Sequence, residues 1–184
     1  MSHKQQNLGR VLVRRARPED LRYIMPIERA SFATPWSEES MRSELSHQDG
    51  AVYYVVESDG SVEGYVGAWM YSGEAHILTI AIAPARRGQG LGELLMLTIL
   101  GHAYKAGCDS AVLEYRVSNK IAEALYLKLG FRPVAVRPGY YTDNNEDAVC
   151  ALMDDLEDRE RQRYLATLRH QWESDHGWTV VSVG

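Results

Sequence analysis

Three glycines at alternate positions, Gly88, Gly90 and Gly92, separate an apolar run ending near Pro84 from a second one that begins at Leu91, with Arg86 and Arg87 just ahead of them. The chemistry this pattern suits is anion binding. A helix N-terminus carries unpaired N–H groups and a partial positive charge, so a loop wound tightly over it holds a phosphate or pyrophosphate. Residues without Cβ atoms let the backbone turn sharply and let phosphate oxygens reach the amides from Gly88 to Glu93. Arg86 and Arg87 would add charge at the rim. The same residues also suit a tight turn that only lets a helix pack closely. Two other phosphate loops do not fit. The P-loop needs Lys then Ser or Thr after its last glycine, whereas Glu93 and Leu94 follow Gly92. The dinucleotide fingerprint needs G-x-G-x-x-G after an early strand, whereas this spacing is alternate and mid-chain.

The elements that would position such a loop are legible around it. VLVRRAR (11–17) alternates like a strand, and Pro18-Glu19-Asp20 opens a helix through Leu21, Ile24, Ile27 and Ala30, with Pro26 a candidate kink. Ser37 caps a second helix whose first turn holds Glu38 and Glu39. AVYYVVESDGSVEGYVGAWMYSG reads as a hairpin about Ser-Asp-Gly-Ser, and EAHILTIAIAP as a third strand beside it. Leu91 to Lys105 has helical spacing and is closed by Gly107. DSAVLEYRV is a strand, Ser118-Asn119 caps a helix from Lys120 to Leu129, and RPVAVRPGYY and DAVCALMDD form a final pair of strands. The order is β-α-α-β-β-β-α-β-α-β-β, an α/β chain with a mixed central sheet flanked by helices.

At 184 residues, with no repeat and no linker before about residue 155, the chain predicts a single domain. No apolar stretch reaches membrane-span length, and the start MSHKQQNLGR lacks a signal-peptide core, so the expected location is the cytoplasm, with no membrane partner. A net charge of −5 argues against a nucleic-acid binder and favours a cationic partner. Cys108 and Cys150 are too few for a disulfide framework and read as buried free thiols. His3, His47, His76, His102, His170 and His176 show no ligand spacing, so no metal is expected, and the absence of G-x-S-x-G gives a serine hydrolase no support.

Arg87-x-x-Gly90-x-Gly92 after a strand, followed by a long helix, resembles the acetyl-CoA signature of the Gcn5-related N-acetyltransferase (GNAT) superfamily. SNKIAEALYLKLGF is similar to that superfamily's N-x-x-A-x-x-x-Y-x-x-x-G-F segment, with Asn119, Ala122, Tyr126, Gly130 and Phe131 in register. SFATPWSEESM, LEYRVSN and RPGYYTDNNEDAVCALMDDL resemble the RimI-type ribosomal-protein-alanine N-acetyltransferases within it. The likeness spans about residues 11–156, the expected acetyltransferase domain, and leaves 157–184 as a charged extension.

The resemblance implies a single-domain GNAT fold, acetyl-CoA as cosubstrate, and a protein N-terminus, that of a ribosomal small-subunit protein, as acceptor. It puts the cofactor on Ile80, Ala81 and Ile82, on Arg87, Gly88, Gln89, Gly90, Leu91, Gly92 and Glu93, and on Asn119. It makes Glu114 the general base and Tyr126 the general acid. Both roles suit the chemistry, because an α-amino group is largely protonated at neutral pH and must lose a proton to attack, while the departing thiolate gains from a nearby phenol. Glu114 as a strand glutamate paired with a cation, and Tyr126 as a core aromatic, are the alternatives. Tyr140 and Tyr141 would shape the peptide groove, with Phe32, Pro35 and Trp36 on the opposite wall. A GNAT acetylating a lysine or small amine, or a CoA-binding sensor without catalysis, are the competing functions. In the extension, Leu156, Tyr164, Leu165, Leu168 and Trp172 fall at partly helical spacing, which predicts an amphipathic helix or else a frayed tail.

Overall fold

The computed structural model describes residues 10–46, 49–177 and, as backbone, 179–183. The strands are β1 (Arg10–Arg15), β2 (Ala51–Ser58), β3 (Ser61–Tyr71), β4 (Glu74–Ile82), β5 (Ser110–Arg116), β6 (Arg132–Tyr141), β7 (Glu146–Met153) and β8 (Thr179–Val183). The helices are α1 (Leu21–Ser31), α2 (Glu38–Ser46), α3 (Leu91–Lys105), α4 (Lys120–Leu129) and α5 (Arg159–His176). All eight strands join one sheet in the order β6-β7-β5-β4-β3-β2-β1-β8. β4 with β5, and β1 with β8, pair parallel; the other pairs are antiparallel. The predicted element order holds through β7. Beyond it the extension forms α5, and then adds β8 to the β1 edge, an element the sequence reading did not foresee.

Period-2 alternation divides the interior. Val52, Tyr54 and Val56 of β2 pack with Leu94, Leu95 and Ile99 of α3, whereas Ala51, Tyr53 and Val55 pack with Ile24 and Ile27 of α1 and Met41 of α2. β2 is therefore apolar on both faces, because a helix layer covers each. Capping follows the local residues: Ser37 Oγ accepts from Ser40 N at 3.0 Å, and Asn119 Oδ1 accepts from Ala122 N at 3.1 Å. α1 runs on through Pro26. Of the two cysteines, both free, Cys108 is buried as expected but Cys150 is only half-buried.

The feature that makes a site is a mismatch in β4. Gly67 of β3 faces Thr79 while Ala68 faces Ile77, so Leu78 is an extra residue on β4. Such a bulge bends its strand and re-aims the following side chains. At the same point β4 leaves β5, since their parallel pairing runs only from Glu74↔Ser110 to Ile77↔Leu113. Past it, β5 continues on β7 and β4 on β3, and a gap opens between them.

Candidate active site

The gap is the floor of a cleft of about 410 Å³, within the range of small-ligand sites. Leu78, Thr79 and Ile80 line it from β4, and Glu114, Tyr115 and Arg116 from β5. Asn119 enters from the N-cap of α4 and Tyr126 from α4 itself, Tyr140 and Tyr141 from β6, and Phe32 and Trp36 from the segment after α1. Both residues expected to handle protons and four of the five expected to shape the groove thus share one cavity, Pro35 being the one that does not line it. Of the expected cofactor residues, Ile80 and Asn119 line it as well. Ala81 is instead buried against the α1 layer, and Ile82 packs toward α3.

Glu114 is held at both oxygens. His76 Nε2–H donates to Oε2 at 2.9 Å, and Arg137 Nη1 approaches Oε1 at 3.1 Å. Arg116, the nearer cation in sequence, turns away to Asp143 at 2.8 Å and Glu146 at 3.1 Å, with its guanidinium over the Tyr141 ring at 3.9 Å. The Glu114 side chain is 13% exposed and that of His76 41%, so the imidazole bridges an enclosed carboxylate and solvent. Tyr126 is buried, its ring 5.4 Å from Tyr115 and 6.1 Å from Phe131. Burial, with some help from Tyr141, drives its phenol well above the usual tyrosine range, so it stays protonated. Burial likewise pushes Tyr141 up to about 12, against the pull of Arg116.

The wall formed by Phe32 and Trp36 is anchored by a group that sequence reasoning missed. Glu28 is buried in α1, accepts the Trp36 backbone N–H at 2.8 Å, and accepts the Tyr65 hydroxyl, which lies 3.4 Å from Thr79 Oγ1. The available signal was a glutamate on the apolar stripe of α1, one turn after Ile24. Neither His76 nor Arg137 stood out. His76 is the one imidazole in the alternating stretch EAHILTIAI, which was readable as an oddity, but Arg137 carried no signal.

The glycine loop lies at the head of α3. Gly90 is left-handed (φ 77°) at its N-cap, and Gly88 also has positive φ (74°). A Cβ on Gly88 would meet open space, and one on Gly92 only Leu125 at 3.8 Å and Ile82 at 3.9 Å. Room therefore exists for a ligand to approach these amides. A Cβ on Gly90, by contrast, would strike His176 Nε2 at 2.4 Å and Trp172 Nε1 at 2.6 Å. Arg87, which is exposed, donates to Ile82 O at 3.1 Å and to Ser31 Oγ at 2.9 Å, tying α1 to the end of β4. Gln89 donates to Ala85 O at 3.3 Å, and Glu93 pairs with Lys128 of α4 at 2.7 Å. Among the described residues no group of His, Cys, Asp and Glu could hold a metal ion, and no helix is long and apolar enough to cross a membrane. His3 and His47 lie outside the described residues.

The model of the acetyltransferase (GNAT) family matches residues 21–131. A Bacillus subtilis protein named provisionally as a ribosomal protein bS18-alanine N-acetyltransferase is 42% identical over 74% of this chain and 91% of its own length. The Escherichia coli K12 protein named ribosomal protein bS18-alanine N-acetyltransferase is 33% identical over 71% of this chain and 88% of its own. The crystal structure of the ribosomal-protein-S18-alanine N-acetyltransferase from Escherichia coli superposes with a TM-score of 0.72 at 30% identity, covering 78% of this chain and 92% of that one.

Proposed function

Because the chain belongs to the GNAT acetyltransferase family, and is thus an acetyl-CoA-dependent N-acetyltransferase, we propose that its acceptor is the α-amine of a protein N-terminus, specifically an N-terminal alanine of a ribosomal small-subunit protein. One observation carries the reading: Glu114 and a protonated Tyr126 face one cleft, at the point where the Leu78 bulge parts β4 from β5. The names of the relatives support the choice of acceptor. The reading assigns residues 11–156 to the acetyltransferase domain and 157–184 to an extension of it.

The chain's polar groups fit acetyl-CoA. Past Ile77 the β5-facing edge of β4 has no strand partner, so the backbone from Ile80 to the Ile82 N–H is available to an amide-bearing arm, Ile82 O being taken by Arg87, and the loop from Gly88 to Glu93 offers amides to a pyrophosphate. Bound there, acetyl-CoA supplies an acetyl group activated as a thioester. Everything else falls to the chain's own side chains. Glu114 takes the ammonium proton, directly or through one water, with His76 and Arg137 fixing the carboxylate's direction. The neutral amine nitrogen attacks the thioester carbonyl carbon; as the C–S bond breaks, Tyr126 gives its hydroxyl proton to the sulfur and recovers a proton from the nitrogen, which sheds its second one as the amide forms. Phe32 and Trp36 face Tyr140 and Tyr141 across the acceptor's path.

A panel of synthetic peptides tests the acceptor. A peptide with a free N-terminal alanine gains the mass of one acetyl group, and its Nα-blocked, lysine-containing twin gains none. Acetylation of the lysine, or of small amines in preference to the peptide, would overturn the assignment, and CoA binding with no acetylated product would point to a sensor. The phosphate loop is tested at Gly92, because the free protein tolerates a side chain there. Gly92→Ala should fold with an unchanged or higher melting temperature, since alanine favours helix, yet bind CoA about tenfold more weakly, a loss near 1.4 kcal/mol. Calorimetry with CoA reads this, and an unchanged affinity removes the phosphates from this turn.

A further inference from the structure

The C-terminal helix α5 lies beyond the residues matched to the family, yet it reaches the loop assigned above to the phosphates. Leu165, Leu168 and Trp172 are buried in the same core as α3, so the helix is seated rather than tethered. At its far end Tyr164 donates to Lys128 O of α4 at 2.6 Å. Midway, Arg169 reaches Thr98 of α3 at 3.4 Å. At its near end the Trp172 indole N–H donates to Gly90 O at 2.8 Å, the same carbonyl that accepts Leu94 N at 3.1 Å as the first bond of α3. His176 stacks on Trp172, with ring centroids 4.5 Å apart, and its Nδ1–H donates to Trp172 O at 2.8 Å. The two rings fill the space where a Gly90 side chain would stand.

We propose that α5 is a positioning element of the cosubstrate site: Trp172, backed by His176, clamps the Gly90 carbonyl and so holds the Gly88–Gly92 turn in its anion-binding shape, coupling the seating of α5 to CoA binding. The inference rests on the reading of that loop given above. The carbonyl at Gly90 shares a peptide plane with the amide of Leu91, so a bond that fixes the carbonyl also aims the first amide of the helix. A fixed donor array binds an anion without first having to be ordered, and a loop released from Trp172 has to be ordered by the ligand. Linkage makes the effect reciprocal: whatever factor α5 contributes to CoA affinity, CoA returns to the docking of α5.

The test uses CoA itself and the full chain. Trp172→Phe keeps an aromatic ring but deletes the N–H; it should bind CoA roughly threefold to tenfold more weakly, the worth of one hydrogen bond, and raise KM for acetyl-CoA by the same factor while kcat stays at its original value. Tyr164→Phe deletes a hydrogen bond at the other end of α5 and should lower the melting temperature without changing CoA affinity. In the unaltered protein, CoA should slow amide exchange across residues 169–176. Equal CoA affinity of Trp172→Phe and the original chain overturns the coupling, as does equal weakening by Tyr164→Phe. If Trp172→Phe does not fold, the exchange measurement decides, and absence of protection in α5 overturns the proposal. An original chain that binds no CoA overturns the reading of the loop and the coupling with it.

Discussion

Glu114→Gln lowers turnover by roughly 10²–10⁴ at neutral pH, the usual contribution of a positioned base, while CoA affinity is unchanged. Glutamine matches the carboxylate in size; its oxygen accepts from Arg137 and its NH2 donates to His76 Nε2 once the imidazole carries its proton on Nδ1, so the cleft keeps its shape and loses its proton acceptor. The deficit has a defined pH dependence. With an α-amine pKa near 7.7–8.0, about a tenth of the acceptor is neutral at pH 7 and nearly all of it at about pH 9.5, so the deficit shrinks by on the order of tenfold over that interval. Initial rates from about pH 6 to 9.5 at saturating acetyl-CoA check this. Normal turnover across the range would return Glu114 to the status of a strand residue paired with cations.

Tyr126→Phe produces a loss of similar order, roughly 10²–10⁴, but one that does not change with pH. The ring contacts with Tyr115 and Phe131 survive the change, so the variant folds and binds CoA as before. What disappears is a hydroxyl whose proton burial retains well past the ordinary tyrosine range. The donor is therefore present throughout the assay window in the original chain, and neutralising the amine does nothing to replace it. A deficit that stays constant from about pH 6 to 9.5 supports the assignment; a deficit that recovers in parallel with that of Glu114→Gln shows that the hydroxyl serves the amine and not the sulfur.

What the sequence made legible is what local chemistry determines. The capping residues Ser37 and Asn119, the Asp59-Gly60 turn, the glycine loop and the alternation of β1 all act within a few residues, and each predicted its element. Glu114 and Tyr126 were identified through motifs, and they share a cleft because β5 and α4 are consecutive elements. The residues that orient the base were not visible, because they come from elsewhere: His76 lies on β4 and Arg137 on β6, each brought to Glu114 by sheet order. The bulge at Leu78 is nearly as hidden: the adjacent apolar residues Ile77 and Leu78 interrupt the alternation where the pairing slips, but a strand covered on both faces shows such doublets without any slip. Gly90 shows the limit most sharply. Its motif suggested a site kept clear for phosphate, and the structure adds a second reason for the missing side chain, since Trp172 and His176 occupy that space.

The parallel pairing of β1 with β8 bears on the route by which the chain folds. Val11 faces Val180, and closing a loop of about 170 residues costs roughly 2.5 kcal/mol more entropy than closing one of ten. The β2–β3 hairpin, with Ser58 facing Ser61 across its two-residue turn, carries no such burden. The hairpin is thus accessible early and β8 late. In the interval β1 is an open edge, with a row of backbone donors and acceptors ready to recruit an extended segment from another molecule. Refolding yield is accordingly most sensitive to protein concentration during that interval, and docking of β8 against β1 ends the vulnerability.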